Sequence, residues 1–117
     1  MDKLITFMVQ FEQQLRVYHW QTKSYARHMA YGATYEALGG LIDAFAESYM
    51  GKYGRVSIKN IPIVDMINEN DIEQHLAAFI RVMDACGMAC KNDPDLLNLR
   101  DEMLAQATKL KYLITLG

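Results

Sequence analysis

Residues 24–54 read SYARHMAYGATYEALGGLIDAFAESYMGKYG, and this stretch decides the fold. Tyr31, Tyr35, Leu38, Ile42, Phe45 and Tyr49 recur at the three- and four-residue spacing that places side chains on one face of an α-helix. The segment starts near Ser24, and Gly51 and Gly54 mark its end. A second line, His28, Gly32, Glu36, Gly39, Asp43, Glu47 and Met50, lies to one side of the apolar stripe. Glycine inside a helix costs about 1 kcal/mol relative to alanine, so Gly32, Gly39 and Gly40 imply that something approaches the backbone closely. Another helix is the natural candidate.

Working outward, Asp2 caps a first segment whose stripe is Leu4, Met8, Phe11, Leu15, Tyr18 and Thr22. Trp20, Val9 and Val17 fall on the opposite side of that segment, where a subunit contact would cover them. Asn70 and Glu73 fit a capping box that opens a third segment, with Ile72, Leu76, Phe79, Met83, Cys86 and Cys90 as its stripe. Asp93-Pro94 opens a fourth, carrying Leu96, Met103, Ala107, Leu110 and Ile114. The connection from Arg55 to Asn70 holds Pro62 and an apolar patch, Ile61 to Ile67, that suits a short extra helix. Four amphipathic helices with one long connection predict a single all-α domain, a four-helix bundle spanning residues 1–117.

Composition narrows the function. A net charge of −2 leaves no basic stripe of the kind nucleic acid requires. No apolar run approaches the roughly 20 residues needed to span a bilayer, and the first residues lack the pattern of a signal peptide, so the expected address is cytoplasmic. Cys86 and Cys90 are expected to be free thiols that fill the core, and His75 to be structural.

The candidate chemistry lies in His19, His28, Asp43 and Glu47. Asp43 and Glu47 are four apart and project from one helix face, and imidazole with carboxylate suits iron, zinc or manganese. His28 and Asp43 are roughly 22 Å apart along one helix, too far to hold the same ion within one chain. Two copies of the second helix packed antiparallel, about a two-fold axis near residues 36–38, would bring His28 of one chain beside the acids of the other. Glu36 would line that axis.

The pattern His19-Trp20, then His28, then Asp43 with Glu47 resembles the ferroxidase signature of the Dps proteins, miniferritins of the ferritin-like superfamily. The resemblance implies a ferritin-like bundle. It makes His19 and His28 metal ligands from one subunit, and Asp43 and Glu47 ligands from its two-fold mate, with Glu47 bridging two metals. It implies oxidation of Fe(II) by peroxide or dioxygen, iron storage where a closed shell forms, and zinc as a substitute ion. Many members carry an aspartate one turn after the second histidine, where this chain has Gly32. That difference favours the alternative expectation of a non-catalytic ferritin-like structural protein that keeps the dimer geometry. Compact chains of this type also resemble uncharacterised proteins of tailed bacteriophages, which extends the expected setting to the virion.

Overall fold

The computed structural model describes residues 1–61 and 68–117. The expected extra helix between Ile61 and Ile67 therefore lies outside the described residues. Among those described, the chain is helical without strands: α1 spans Asp2–Gln21, α2 Tyr25–Tyr53, α3 Ile72–Asp84 and α4 Pro94–Leu113. Single 3-10 turns, Glu69–Asp71 and Ile114–Leu116, precede α3 and follow α4.

Local chemistry sets most of these boundaries. Thr22 leaves α1 in an extended conformation (ψ 144°), and Ser24 accepts a bond from the Arg27 amide to start α2 after a three-residue link. Helix α2 runs through Gly51 and stops at Gly54, whose φ of 93° is closed to most side chains. At 29 residues it is about 43 Å long by helical rise, which matches the 43 Å long axis of the molecule. Asp93 accepts from the Asp95 amide and Pro94 takes the first turn of α4, as the sequence predicts.

Three expectations are corrected here. Asp2 does not cap α1: it is the helix's first residue, and Met1 holds the cap position without a side-chain bond. The capping box at Asn70 and Glu73 does not form; Asn68 instead caps the 3-10 turn and Asp71 precedes α3 without a side-chain bond. The third segment also does not stay helical to Cys90. Helix α3 ends at Asp84, and the chain turns around Gly87 until Lys91 and Asn92, at φ 55° and 51°, redirect it into α4. The Asn92 amide bonds the Gly87 carbonyl and closes this turn at 2.9 Å, so both cysteines stay in the core although they have left the helix.

Helix directions follow from end-to-end contacts. Thr22, at the α1–α2 junction, bonds Glu69 just before α3, so α3 starts at that end. Arg27, at the start of α2, bonds the Ile114 carbonyl, so α4 finishes there. Lys52 and Tyr53, at the end of α2, bond Asp93 at the start of α4. Helices α1 and α4 thus run one way and α2 and α3 the other, and Gly54 and Asn68 lie at opposite ends of the bundle. Packing follows the ring α1–α2–α4–α3, in which each neighbour is antiparallel.

The core sits inside that ring. Met8, Leu15 and Tyr18 of α1, Tyr31, Leu38 and Phe45 of α2, Phe79 and Met83 of α3, and Leu96, Met103 and Leu110 of α4 are fully buried. Phe79 stacks on Phe11 with ring centres 4.1 Å apart and on Phe7 at 5.9 Å, and this aromatic triple joins α3 to α1. The stripes expected on all four segments therefore point inward, except that Thr22, Tyr35 and Tyr49 are half-buried.

Candidate functional site

The three-residue link between α1 and α2 brings His19 and His28 face to face. Their rings stack with centres 3.8 Å apart and planes 14° from parallel. The His19 Nδ1–H donates to the His28 carbonyl at 2.6 Å, and the His28 Nδ1–H donates to the His19 carbonyl at 2.7 Å. A carbonyl oxygen only accepts, so both protons must sit on Nδ1. Among the described residues neither Nε2 has a hydrogen-bond partner. A ring whose single proton sits on Nδ1 keeps its Nε2 lone pair for an outside ligand. Metal-binding histidines are commonly held this way, with the second ring nitrogen donating to a backbone carbonyl.

Gly32 explains how the rings fit. A Cβ built there would lie 2.9 Å from His19 Cε1 and 3.0 Å from its Nδ1, closer than side chains tolerate. The close approach expected at Gly32 is thus made by an imidazole of the same chain and not by a second helix. Gly39 faces Glu12 of α1 at 3.6 Å, an ordinary contact. Only Gly40 of the three has nothing of its own chain within 4 Å.

Around the pair, Tyr35 meets His19 edge-on at 5.4 Å and Arg16 lies over the Tyr35 ring at 4.7 Å. One turn inside, Glu69 accepts from Thr22 at 2.7 Å and from the Tyr31 hydroxyl at 3.2 Å, and pairs with Arg27 at 3.5 Å. Burial, and next the Glu69 charge, push the Tyr31 phenol up to about 12. Burial likewise raises Tyr18 to about 12. Neither phenol ionises near neutral pH, so they pack and donate rather than supply a base. His75 sits edge-on to Tyr18 at 6.4 Å, in keeping with a structural role.

Asp43 and Glu47 lie further along α2 with exposed side chains. Within one chain they do not meet the histidines. Among the described residues no group of three or more His, Cys, Asp or Glu side chains is gathered closely enough to hold a metal ion. Spacing along α2 anticipates this separation. What the sequence reading missed is the regularity of the uncovered face: Met29, Ala33, Glu36, Gly40, Asp43 and Glu47 are all exposed and alternate at four- and three-residue steps. Such a 4-3 seam is the pattern by which two helices pack along their length, and the spacing could have been counted from the sequence. The seam has small residues at Ala33 and Gly40, three acids, and no Lys or Arg. Trp20, 68% exposed, Tyr25, 77% exposed, and Met29 flank its histidine end. Val9 and Val17 are half-buried, and Val9 packs against the core, so of the expected outer set on α1 only Trp20 stands clear of it.

No helix among the described residues is long and apolar enough to cross a membrane. Residues 19–114 match the model of a family described as a family of unknown function (DUF5856). The chain is similar to a protein of Enterobacteria phage T4, described as an uncharacterized 14.6 kDa protein in the mobD-ri intergenic region. The two are 28% identical over 116 residues, which cover 98% of this chain and 88% of the phage protein. No solved structure matches.

Proposed function

The chain belongs to the DUF5856 family, and on that premise we propose that it is a Dps-like, ferritin-like protein that oxidises Fe(II) at sites shared between two copies. The observation that carries this reading is the reciprocal lock of His19 and His28, which commits both Nδ1 atoms and leaves both Nε2 atoms for a ligand. The ring α1–α2–α4–α3 with one long crossover has the connectivity of ferritin-like bundles and supports the same reading. Two α2 helices laid antiparallel along the exposed seam set His28 opposite the interval between the partner's Asp43 and the partner's Glu47. The seam carries acids without basic residues, so apposed copies repel unless cations lie between them. A divalent ion at each end answers both needs.

Fe(II) is the substrate here. Each of two ions gives up one electron, peroxide takes both, and two protons complete two waters. The exposed carboxylates Asp43 and Glu47 accommodate the rising charge, while the fixed imidazoles keep their orientation. Zinc, with the same preference for nitrogen and oxygen donors, would compete. The similarity to a phage protein supports the infected cell's cytoplasm or the virion as the setting, and a shell would add iron storage. Metal analysis of purified protein and an optical Fe(II) titration test the reading. Asp43→Ala with Glu47→Ala should abolish oxidation at unchanged helicity, and undiminished oxidation in that variant contradicts it.

A second reading, a non-catalytic bundle that keeps the dimer geometry, rests on a separate observation. His19 already fills the space over Gly32, so the histidine pair serves as a staple for the α1–α2 junction with no ion present. Under that reading, His19→Ala with His28→Ala lowers the melting temperature, and wild-type protein neither binds nor oxidises iron.

A further inference from the structure

At the far end of the bundle from the histidines, the turn Cys86-Gly87-Met88-Ala89-Cys90 leads from α3 toward α4 and carries three sulfur atoms on five residues. Both cysteines are free and buried, at 6% and 0% exposure. Their Sγ atoms lie 3.7 Å apart, and each thiol faces the other. Cys86 Sγ donates to the Met83 carbonyl at 3.1 Å, and Arg100 Nη1 donates to that same oxygen at 3.0 Å. The half-buried guanidinium therefore stands beside the sulfur pair. Met88, between the cysteines in sequence, is 88% exposed, an unusual position for a large apolar side chain.

We propose that Cys86 and Cys90 form a two-thiolate site for a thiophilic monovalent metal ion of the copper(I) class, loaded past the thioether of Met88. Copper(I) with two donors is held nearly linearly, which sets two thiolate sulfurs roughly 4.3 Å apart, so the pair at 3.7 Å has to open by about half an ångström to take the ion. Zinc would need further protein ligands for a closed site. No third His, Cys, Asp or Glu joins the pair among the described residues, and the nearby Asp93 is held by Lys52 and Tyr53. Copper(I) is satisfied by two soft donors, and thiolate with thioether is the donor class that selects it. Binding exchanges two thiol protons for one ion and moves no electrons. The product, one cation on two thiolates, carries a single negative charge that Arg100 offsets.

Burial, and then the neighbouring Cys86, push the Cys90 thiol up to about 12. Cys90 is therefore a neutral thiol and a poor nucleophile, which sets it apart from reactive cysteines.

The test is a titration of the full chain, kept anaerobic, against the coloured copper(I)–bicinchoninate complex. Wild-type protein should withdraw one equivalent of copper. Cys86→Ser and Cys90→Ser should each weaken binding by about 100-fold or more. Met88→Leu should reach the same stoichiometry more slowly, a kinetic change that core packing alone would not produce. X-ray absorption on copper-loaded wild-type protein needs no variant, and two sulfur neighbours are expected. Equal withdrawal by a Cys86→Ala/Cys90→Ala chain, or copper bound only through nitrogen and oxygen, overturns the proposal. Fe(II) oxidation is expected to be indifferent to both cysteine substitutions, so this outcome and that of the iron reading are scored separately.

Discussion

The two ends of α2 are fastened by opposite means. At its start the fastening uses few charges: two stacked imidazoles bonded to each other's backbone carbonyls, with Glu69 serving Thr22, Tyr31 and Arg27. At its finish the fastening is ionic. Lys52 bonds both oxygens of Asp93 at 2.9 Å and Asp95 at 2.7 Å, Tyr53 adds a bond to Asp93 at 2.9 Å, and Lys91 lies over the Tyr53 ring at 5.0 Å. The Lys52 and Tyr53 bonds hold Asp93 down at about 2, while its two acids push Lys52 up. The ionic end uses its donors and acceptors on itself. The histidine end leaves two ring nitrogens unused, which is why the candidate chemistry belongs there.

The sharpest way to break this contrast is Gly32→Ala. Elsewhere on a helix that change gains about 1 kcal/mol, yet here the added Cβ meets the His19 ring at 2.9 Å and forces the stack apart. A net loss of about 1–3 kcal/mol is expected, read by denaturant unfolding. Glu69→Ala comes next. It leaves the buried Tyr31 hydroxyl and Arg27 without their shared acceptor and should cost about 1–2 kcal/mol, again by unfolding, while the Asp93 end is untouched.

The ionic end should respond to acid. A carboxyl whose pKa is lowered in the folded chain stabilises it above the ordinary carboxyl range, and that contribution fades as pH falls from about 4 toward about 2. Asp93→Ser keeps a capping oxygen but removes the charge, so its melting temperature should fall less steeply across that window than wild type's. The smallest effect is expected at Gly40→Ala, where open space surrounds the added methyl. The isolated chain should gain about 0.5–1 kcal/mol. Under the proposed two-fold contact, dimer formation, followed by sedimentation, should weaken, because Gly40 would be a point of close approach.

Much of this was legible in the sequence, and the misses have physical causes. The inward stripes, the start near Ser24, the Asp93 cap and the stop at Gly54 follow from periodicity and local bonding, which are short-range. The start of α3 differs from the sequence expectation because Asn68 captures the turn two residues earlier, a competition between overlapping polar side chains that spacing does not resolve. The loss of helix after Asp84 reflects Gly87 and the left-handed Lys91 and Asn92, while the apolar pattern simply continued to Cys90. At the candidate site, the sequence shows that the histidines and the acids are far apart on α2. It does not show that His19 and His28 bond each other's carbonyls, since that depends on how tightly Thr22 to Ser24 turn the chain. The sequence marks Gly32 as a place of close approach, and the ring of His19, thirteen residues upstream, occupies it.

The most direct measurement of the shared-site claim mixes two inactive chains. His19→Ala/His28→Ala protein and Asp43→Ala/Glu47→Ala protein, unfolded together and refolded in equal amounts, form mixed pairs in which one site regains all four ligands. Fe(II) oxidation should return to roughly a quarter of the wild-type rate, the share set by random pairing at a two-fold contact. If the mixture stays as inactive as its separate components while wild type oxidises iron, the ligands do not come from two chains.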